Sequence, residues 1–421
     1  MNQNFEIKGY WFIPEQSNNK IAGTLYFEKH KEIRLELIGG FDSNSLFFDK
    51  SITSIQGIGN NAEKITLITC RAYGSQNFSC DFPITNYTCQ FIINGKHLMN
   101  PDDKTFNRIV VDFSTLYNWL PLNTIRHNFR FSNETEEIDE TTFVISKSYY
   151  SERVFEIDNI FQLKIFSSTA YNTSFDNRKI EISQNTLCEI NCKKKASFYD
   201  FLNKVRLFKE FLSLASLSTT NHLQISLYDD NDFQELKNGN KVFQPTKCYF
   251  IERDINILNN ESHNYLFKYS DIETSFPEII KQWYFNSNEF APIRTHLIRS
   301  IAFKEVFTSL DFSIVVQALE GYHRRYINNN DKIHLKVRLE EIILIYKDLL
   351  ESKKLNLDLD KIIKSRNYYS HFYQRTKSVL DGYELFIETE KLRILLISCV
   401  LSMIGFDKEL INKLIINNNK L

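Results

Sequence analysis

The spacing of apolar residues changes once along this chain, and that change constrains the fold more than any motif. Up to about residue 185, apolar and polar side chains alternate at period two, as in Phe5-Glu6-Ile7 and Leu35-Glu36-Leu37-Ile38, the pattern of strands with one buried face. Gly39-Gly40, Gly57, Asn60-Asn61 and Asn94-Gly95 punctuate the runs as turns. A single amphipathic helix interrupts them: Phe198, Phe201, Leu202, Val205, Phe208, Phe211 and Leu212 recur at helical spacing, and the pattern ends near Leu217. Short strands are expected again over residues 223–228 and 249–252. From about Asp271 the periodicity becomes helical and stays so, with no proline after Pro292 and only Gly321, Gly382 and Gly405 as glycines. The predicted class is α+β, with a mainly β domain over residues 1–270 and an all-α bundle over residues 271–421.

Composition narrows the function classes. Of 421 residues, 43% are hydrophobic and 24% charged, which suits packed cores and excludes a disordered chain. Lys+Arg 51 against Asp+Glu 52 leaves a net charge of -1, so any nucleic-acid site must be local. The charge is segregated: residues 290–421 hold 21 Lys/Arg and 16 Asp/Glu, leaving 30 against 36 elsewhere. A local polyanion site needs such an arrangement, and a solvated surface explains it equally well. There are 12 glycines where about 30 would be average, which disfavours folds that cradle phosphates in repeated Gly-rich loops. Seven cysteines include one close pair, Cys188 and Cys192, with no second pair to complete a zinc site, and reduced thiols are expected. The longest apolar run, residues 394–406, is about 13 residues and falls short of the roughly 20 that span a bilayer. A buried helix is expected there. Residues 1–14 carry no basic stretch ahead of an apolar run, so a cytoplasmic protein is expected.

Several local patterns lose their meaning in context. Gly57-Ile58-Gly59-Asn60-Asn61-Ala62 fits GxGxxA, but the strand-like Lys64-Ile65-Thr66-Leu67-Ile68-Thr69 follows where a dinucleotide fingerprint needs a helix. A hairpin turn is expected instead. Asp229-Asp230-Asn231-Asp232 lacks the glycine and the bidentate Glu of a calcium loop, and His30-Lys31-Glu32 lacks the downstream PCxxC of zinc deaminases. Asp358 and Asp360 read as the N-cap and first-turn charge of a helix. Trp11 and Trp119 read as core. No metal and no cofactor are expected.

One constellation remains. Over residues 358–370, Leu359, Ile362, Ile363 and Tyr369 fall on one helical face, and at 100° per residue Arg366 falls in its middle. An inward guanidinium needs a carboxylate partner or a bound anion, because an unpaired buried charge costs several kcal/mol. His371 follows five residues later, about 140° away on a continuous helix. Convergence of the two predicts a helix break between them, near Asn367 or Ser370. With 17 Arg and 9 His in the chain, Arg-x4-His arises by chance about 0.4 times, and about 0.04 times once Asn must follow the Arg.

Arg366-Asn367-Tyr368-Tyr369-Ser370-His371 resembles the RNxxxH signature of the HEPN ribonuclease superfamily. Residues 314–326, containing Gln317-Ala318-Leu319-Glu320, and Leu335-Lys336-Val337-Arg338-Leu339 resemble its ApeA-type branch. Gly9-Tyr10-Trp11-Phe12-Ile13-Pro14, Gly23-Thr24-Leu25, Gly39 and Ile65-Thr66-Leu67 resemble the ApeA N-terminal domain, so the likeness spans nearly the whole chain. The resemblance implies an abortive-infection effector of bacterial anti-phage defence. Its HEPN domain would dimerise and cleave RNA, with tRNA one candidate substrate, by a metal-independent route that leaves a 2′,3′-cyclic phosphate and a 5′-hydroxyl.

In that reading His371 moves the 2′-OH or 5′-oxygen proton, Arg366 holds the scissile phosphate, and Glu320 orients His371 or pairs with Arg366. Asn367, Ser370, His323 and Arg338 are expected in supporting or substrate-binding places. His323 nevertheless reads first as a core histidine, near the centre of an apolar face of Phe312, Val315, Val316, Leu319 and Tyr326. Apolar residues of the run 392–406 are expected to contribute to a homodimer interface. The β-rich half is expected to sense a phage-derived trigger and to restrain the nuclease. The alternative is a non-catalytic HEPN module that dimerises or binds nucleotide and senses phage components, with Arg366 paired to Glu320 and His371 on the surface.

Overall fold

The computed structural model describes residues 4–29, 31–41, 51–76, 84–131, 138–145, 152–173, 179–251, 264–302 and 309–421. The alternating N-terminal sequence forms β1 Phe5–Phe12, β2 Ile21–Glu28, β3 Glu32–Ile38, β4 Ser51–Gly59, β5 Lys64–Gln76 and β6 Ile84–Thr88. They pair in the order β5-β4-β1-β2-β3-β6, and β6 returns to β5, closing a six-stranded barrel. One face of each strand fills it, with Trp11, Leu25, Ile33, Leu35, Leu37 and Leu67 fully buried. The GxGxxA stretch is the hairpin between β4 and β5, as its following strand predicts. Gly57 has a packing role there: a Cβ would lie 2.3 Å from Trp11 Cε3, so only glycine leaves room for the indole.

From the barrel wall the sheet continues in the order β5-β7-β17-β14-β8-β13-β12-β11. These strands are β7 Phe91–Asn94, β8 Phe106–Phe113, β11 Arg153–Glu156, β12 Phe161–Thr173, β13 Ile180–Ala196, β14 His222–Tyr228 and β17 Thr246–Phe250. Two hairpins stand apart, β9 Ile125–Phe131 with β10 Ile138–Ile145 and β15 Phe233–Glu235 with β16 Lys241–Phe243. After the short α1 Leu116–Trp119, the predicted amphipathic helix is α2 Phe198–Ser216, which packs against β8 and β13. Its start is fixed by a capping box in which Ser197 Oγ accepts from Asp200 N and Asp200 Oδ2 accepts from Ser197 N, both at 3.1 Å. Leu217 closes it in the left-handed region at φ 48.

The C-terminal part is helical: α3 Tyr269–Ile272, α4 Phe276–Phe285, α5 Ser287–Ala302, α6 Ser309–Tyr326, α7 Leu335–Ile345, α8 Lys347–Ser352, α9 Leu359–His371, α10 Gly382–Met403 and α11 Lys408–Ile416. It meets the sheet directly where Phe276 of α4 packs its ring on Phe155 of β11, and otherwise through α2. Trp283 Nε1 donates to the Leu207 carbonyl at 2.8 Å, Tyr284 Oη to that of Lys204 at 2.9 Å, and Arg294 pairs with Glu210 at 2.6 Å. One continuous hydrophobic core runs from the extended sheet through α2 into these helices, separate from the core inside the barrel.

The expectation that residues 392–406 contribute apolar surface to a dimer is not met. Leu392, Leu395, Leu396, Ile397, Val400 and Leu401 are all 0% exposed, because residues 394–401 of α10 are apolar on nearly every side and the helix lies among α5, α6 and α11. The buried helix expected from the same run is present. Arg393, inside it, is paired to Asp311, and its Nε donates to Ser300 Oγ at 2.8 Å.

Trp11 and Trp119 are 0% exposed. Among the described residues six cysteines are buried without a disulfide, and burial pushes the thiols of Cys188, Cys248 and Cys399 up. Cys80, His30 and Glu252 lie outside the described residues. Asp229 receives Lys96 Nζ and Lys195 Nζ at 2.7 Å each. Burial pushes its carboxyl up, but the two lysines and the Asn231 N–H outweigh this and hold it at about 2, so its charge is already balanced by protein cations. No helix among the described residues is long and apolar enough to cross a membrane.

Candidate active site

The Arg366–His371 segment ends α9, and the local chemistry of that helix explains where it starts and what holds it. Asp358 caps the helix by accepting from Lys361 N at 3.1 Å, while Asp360 reaches across to Lys336 at 2.8 Å. Ser365, 0% exposed, donates to the Lys361 carbonyl at 2.7 Å and accepts from Leu380 N at 2.8 Å. Tyr369 Oη donates to the Leu380 carbonyl at 2.9 Å, and burial pushes its phenol up, so it stays a donor. These bonds fold loop 372–380 back against the helix. At the end of the loop Arg375 and the Gly382 N–H hold the Asp381 carboxyl below its usual range.

The predicted helix break is absent. α9 continues through His371, and only Phe372 leaves it, at φ 56, with its N–H donating to the Tyr368 carbonyl at 3.0 Å. Arg366 and His371 still meet, with Nη1 to Nε2 at 2.6 Å. The flexible arginine side chain runs along the helix to its C-terminal end, so the reach of the side chain does what a backbone break was expected to do. Nη1 also donates to Asn367 Oδ1 at 3.3 Å, and Nη2 to Glu320 Oε2 at 3.4 Å.

The guanidinium is also less enclosed than its place on the helical wheel predicts. The Arg366 side chain is 26% exposed and that of Glu320 21%, and His371 is exposed. A guanidinium can only donate, so in this geometry Nε2 of His371 is the acceptor and the imidazole carries its proton on Nδ1. Carboxylate, guanidinium and imidazole thus lie in a row at an open helix end. Such a row can bind an oxyanion and accept a proton beside it.

Other sequence candidates fall elsewhere. Ser370 is exposed and its side chain has no hydrogen bond among the described residues. His323 is 0% exposed, with Nε2 at 2.6 Å from Glu341 Oε2 and Nδ1 at 2.9 Å from Arg338 Nη1. Arg338, also 0% exposed, donates to the carbonyls of Ile333, Asn328 and Asn330 at 3.2, 3.0 and 2.6 Å. Both residues therefore fasten the α6–α7 loop and are not joined to Arg366 or His371. A substrate-binding place is not available to them, because their polar atoms are buried and already bonded. Tyr326 is 38% exposed, and Tyr322 at 8% takes its expected position in the buried face.

Sequence reasoning passed over Arg324, whose Nη2 lies 3.3 Å from Glu320 Oε1. The signal was present as a Glu–Arg pair four residues apart on one helix.

No curated protein and no solved structure matched the chain. Two family models do match: ApeA N-terminal domain 1 over residues 6–283 and Apea-like HEPN over residues 313–410. The second stretch contains Glu320, Arg366 and His371, and the first covers well over half of the sequence. The chain therefore belongs to the ApeA family, with an Apea-like HEPN domain following its ApeA N-terminal domain 1.

Proposed function

We propose that this HEPN-containing defence effector is a metal-independent endoribonuclease acting through Arg366 and His371. The observation that carries the reading is the 2.6 Å contact between Arg366 Nη1 and His371 Nε2 at the open end of α9, with Glu320 on the other guanidinium nitrogen. Pairing of Arg366 with Glu320 alone suits a non-catalytic module equally. An imidazole held as an acceptor beside an anion-binding fork favours the nuclease.

In the reaction Arg366 turns from the imidazole to the scissile phosphate and grips two of its oxygens, steadied by Glu320. His371 Nε2 takes the 2′-OH proton, the 2′-oxygen attacks phosphorus, and the P–O5′ bond breaks. The products are a 2′,3′-cyclic phosphate and a 5′-hydroxyl. The leaving 5′-oxygen needs a proton, and a second imidazole supplies it best, which is the chemical reason for a homodimer with two Arg366/His371 sets across a shared cleft. Substrate is RNA, with tRNA one candidate class, in the cytoplasm.

Residues 1–270 are proposed to sense a phage-derived trigger and restrain residues 271–421. The shared core and the Glu210–Arg294 pair offer a path for a coupling of about 1–3 kcal/mol, which lowers activity about 5- to 150-fold and leaves a basal cleavage that the full-length protein shows without the trigger. Incubating full-length wild type and His371→Ala with total RNA in EDTA tests the assignment. Cleavage by the wild type alone supports it; cleavage by both, or by neither, overturns it.

A further inference from the structure

α2 and α9 both close on a non-glycine residue in the left-handed region, Leu217 at φ 48 and Phe372 at φ 56. That conformation crowds any Cβ, which is why glycine or asparagine usually stands there. At Leu217 burial offsets the strain, since the side chain is 6% exposed in the core. Phe372 has no such compensation within the chain: it is 89% exposed. The next residue, Tyr373, is 63% exposed, and its ring centroid lies 5.8 Å from that of His371 at an interplanar angle of 37°. The strained cap therefore displays two exposed aromatic side chains directly after His371 in the chain, with the Tyr373 ring beside the imidazole.

The surroundings point to one occupant. Lys364 on α9 and Lys377 on the following loop are exposed close by in the chain, while Arg375 is paired with Asp381, and among the described residues Lys364 Nζ bonds the Ser378 hydroxyl, at 3.5 Å. Exposed rings set among cations fit a polyanion that carries flat bases. A base lies one sugar from its phosphate, the same scale as the separation of Tyr373 from His371.

We infer that Phe372 and Tyr373 stack on the bases flanking the phosphate that Arg366 holds, so that these two rings decide which phosphodiester is presented to His371. The inference rests on the nuclease reading of this site.

The test uses the full-length protein and a 2′-O-methyl oligonucleotide, which has no 2′-OH to react, carrying 2-aminopurine at each position in turn. Binding should quench one or two adjacent positions. Phe372→Ala and Tyr373→Ala should each raise Kd about 5- to 150-fold and abolish the quench. An abasic residue at the quenched position should weaken the wild type similarly and Phe372→Ala no further. Phe372→Gly accommodates the φ, so its melting temperature should rise while its affinity falls, which separates stacking from folding.

Unchanged affinity and quench in both alanine variants would overturn the inference, as would a wild type that binds no oligonucleotide. Loss of self-association in sedimentation with unchanged oligonucleotide affinity would also overturn it and assign the rings to a second copy of the chain. A wild type that binds and quenches but leaves total RNA intact would refute the nuclease reading alone. Cleavage through His371 that is indifferent to Phe372→Ala would refute stacking alone.

Discussion

Replacing Arg366 with lysine keeps the charge and removes the fork, and the structure says what that should cost. The guanidinium uses Nη1 toward His371 and Asn367 and Nη2 toward Glu320, a span that a single ammonium nitrogen cannot reproduce. In the proposed reaction lysine therefore keeps one phosphate contact and loses one charge-assisted hydrogen bond, worth about 1.5–3 kcal/mol. That corresponds to a fall of about 10- to 150-fold in kcat/KM. Arg366→Ala loses the charge as well and should fall by at least about 10²–10³. Stability should fall by less than about 3 kcal/mol, because the pair is partly buried, with side chains 26% and 21% exposed, and spans 3.4 Å. The assay is cleavage of a fluorophore–quencher oligoribonucleotide in EDTA, read as kcat and KM separately, with urea melts as control. Wild-type kcat/KM in Arg366→Lys would refute the two-donor grip. A loss above about 3 kcal/mol of stability in Arg366→Ala would make the residue structural instead.

Three further outcomes follow from the described contacts. Asp229 sits at about 2 in the folded protein against an ordinary 3.8, so it contributes stability above the ordinary value that is lost as pH falls through the folded one. Asp229→Asn should destabilise by about 2 kcal/mol at pH 7 and by almost nothing near pH 2, measured by denaturant titration; a pH-independent loss would refute the lysine pairing as its cause. Gly57→Ala should cost at least about 1–3 kcal/mol by driving a methyl into the Trp11 indole, visible as a lower melting temperature and a changed Trp fluorescence, and a neutral effect would refute the close approach. Arg338→Met should lose about 3–5 kcal/mol by orphaning His323 Nδ1 and the carbonyls of Asn328, Ile333 and Asn330; unchanged stability with lost RNA affinity would return Arg338 to the substrate site.

What the sequence disclosed and what it hid have physical reasons. Period and capping are local, so the Phe-rich face of α2 and the Asp358 cap of α9 were legible. Partners are not local. The alternation in β3 told that Leu35 and Leu37 face inward, but nothing in it said that β6 returns to β5 and closes a barrel. The apolar run of α10 looked like surplus surface because periodicity cannot count the helices that will surround it. Arg366 was placed on the correct helix and with the correct carboxylate, yet a helical wheel tracks Cβ directions, not the tip of a long side chain. It therefore demanded a break that arginine's length makes unnecessary. The left-handed Phe372 was invisible because its identity gives no hint of positive φ.

The central claim is that RNA is cut by its own 2′-OH with His371 as proton acceptor. The most direct measurement takes a ribo-oligonucleotide with a mapped cleavage position and the same oligonucleotide with a single 2′-deoxy residue on the 5′ side of that phosphate. Both are incubated in EDTA with full-length wild type and with His371→Ala, and the ends are analysed. The prediction is a 2′,3′-cyclic phosphate and a 5′-hydroxyl from the all-ribo strand with wild type only, and no cut at the deoxy position with either protein. Cleavage at the deoxy position, or equal cleavage by His371→Ala, would contradict it.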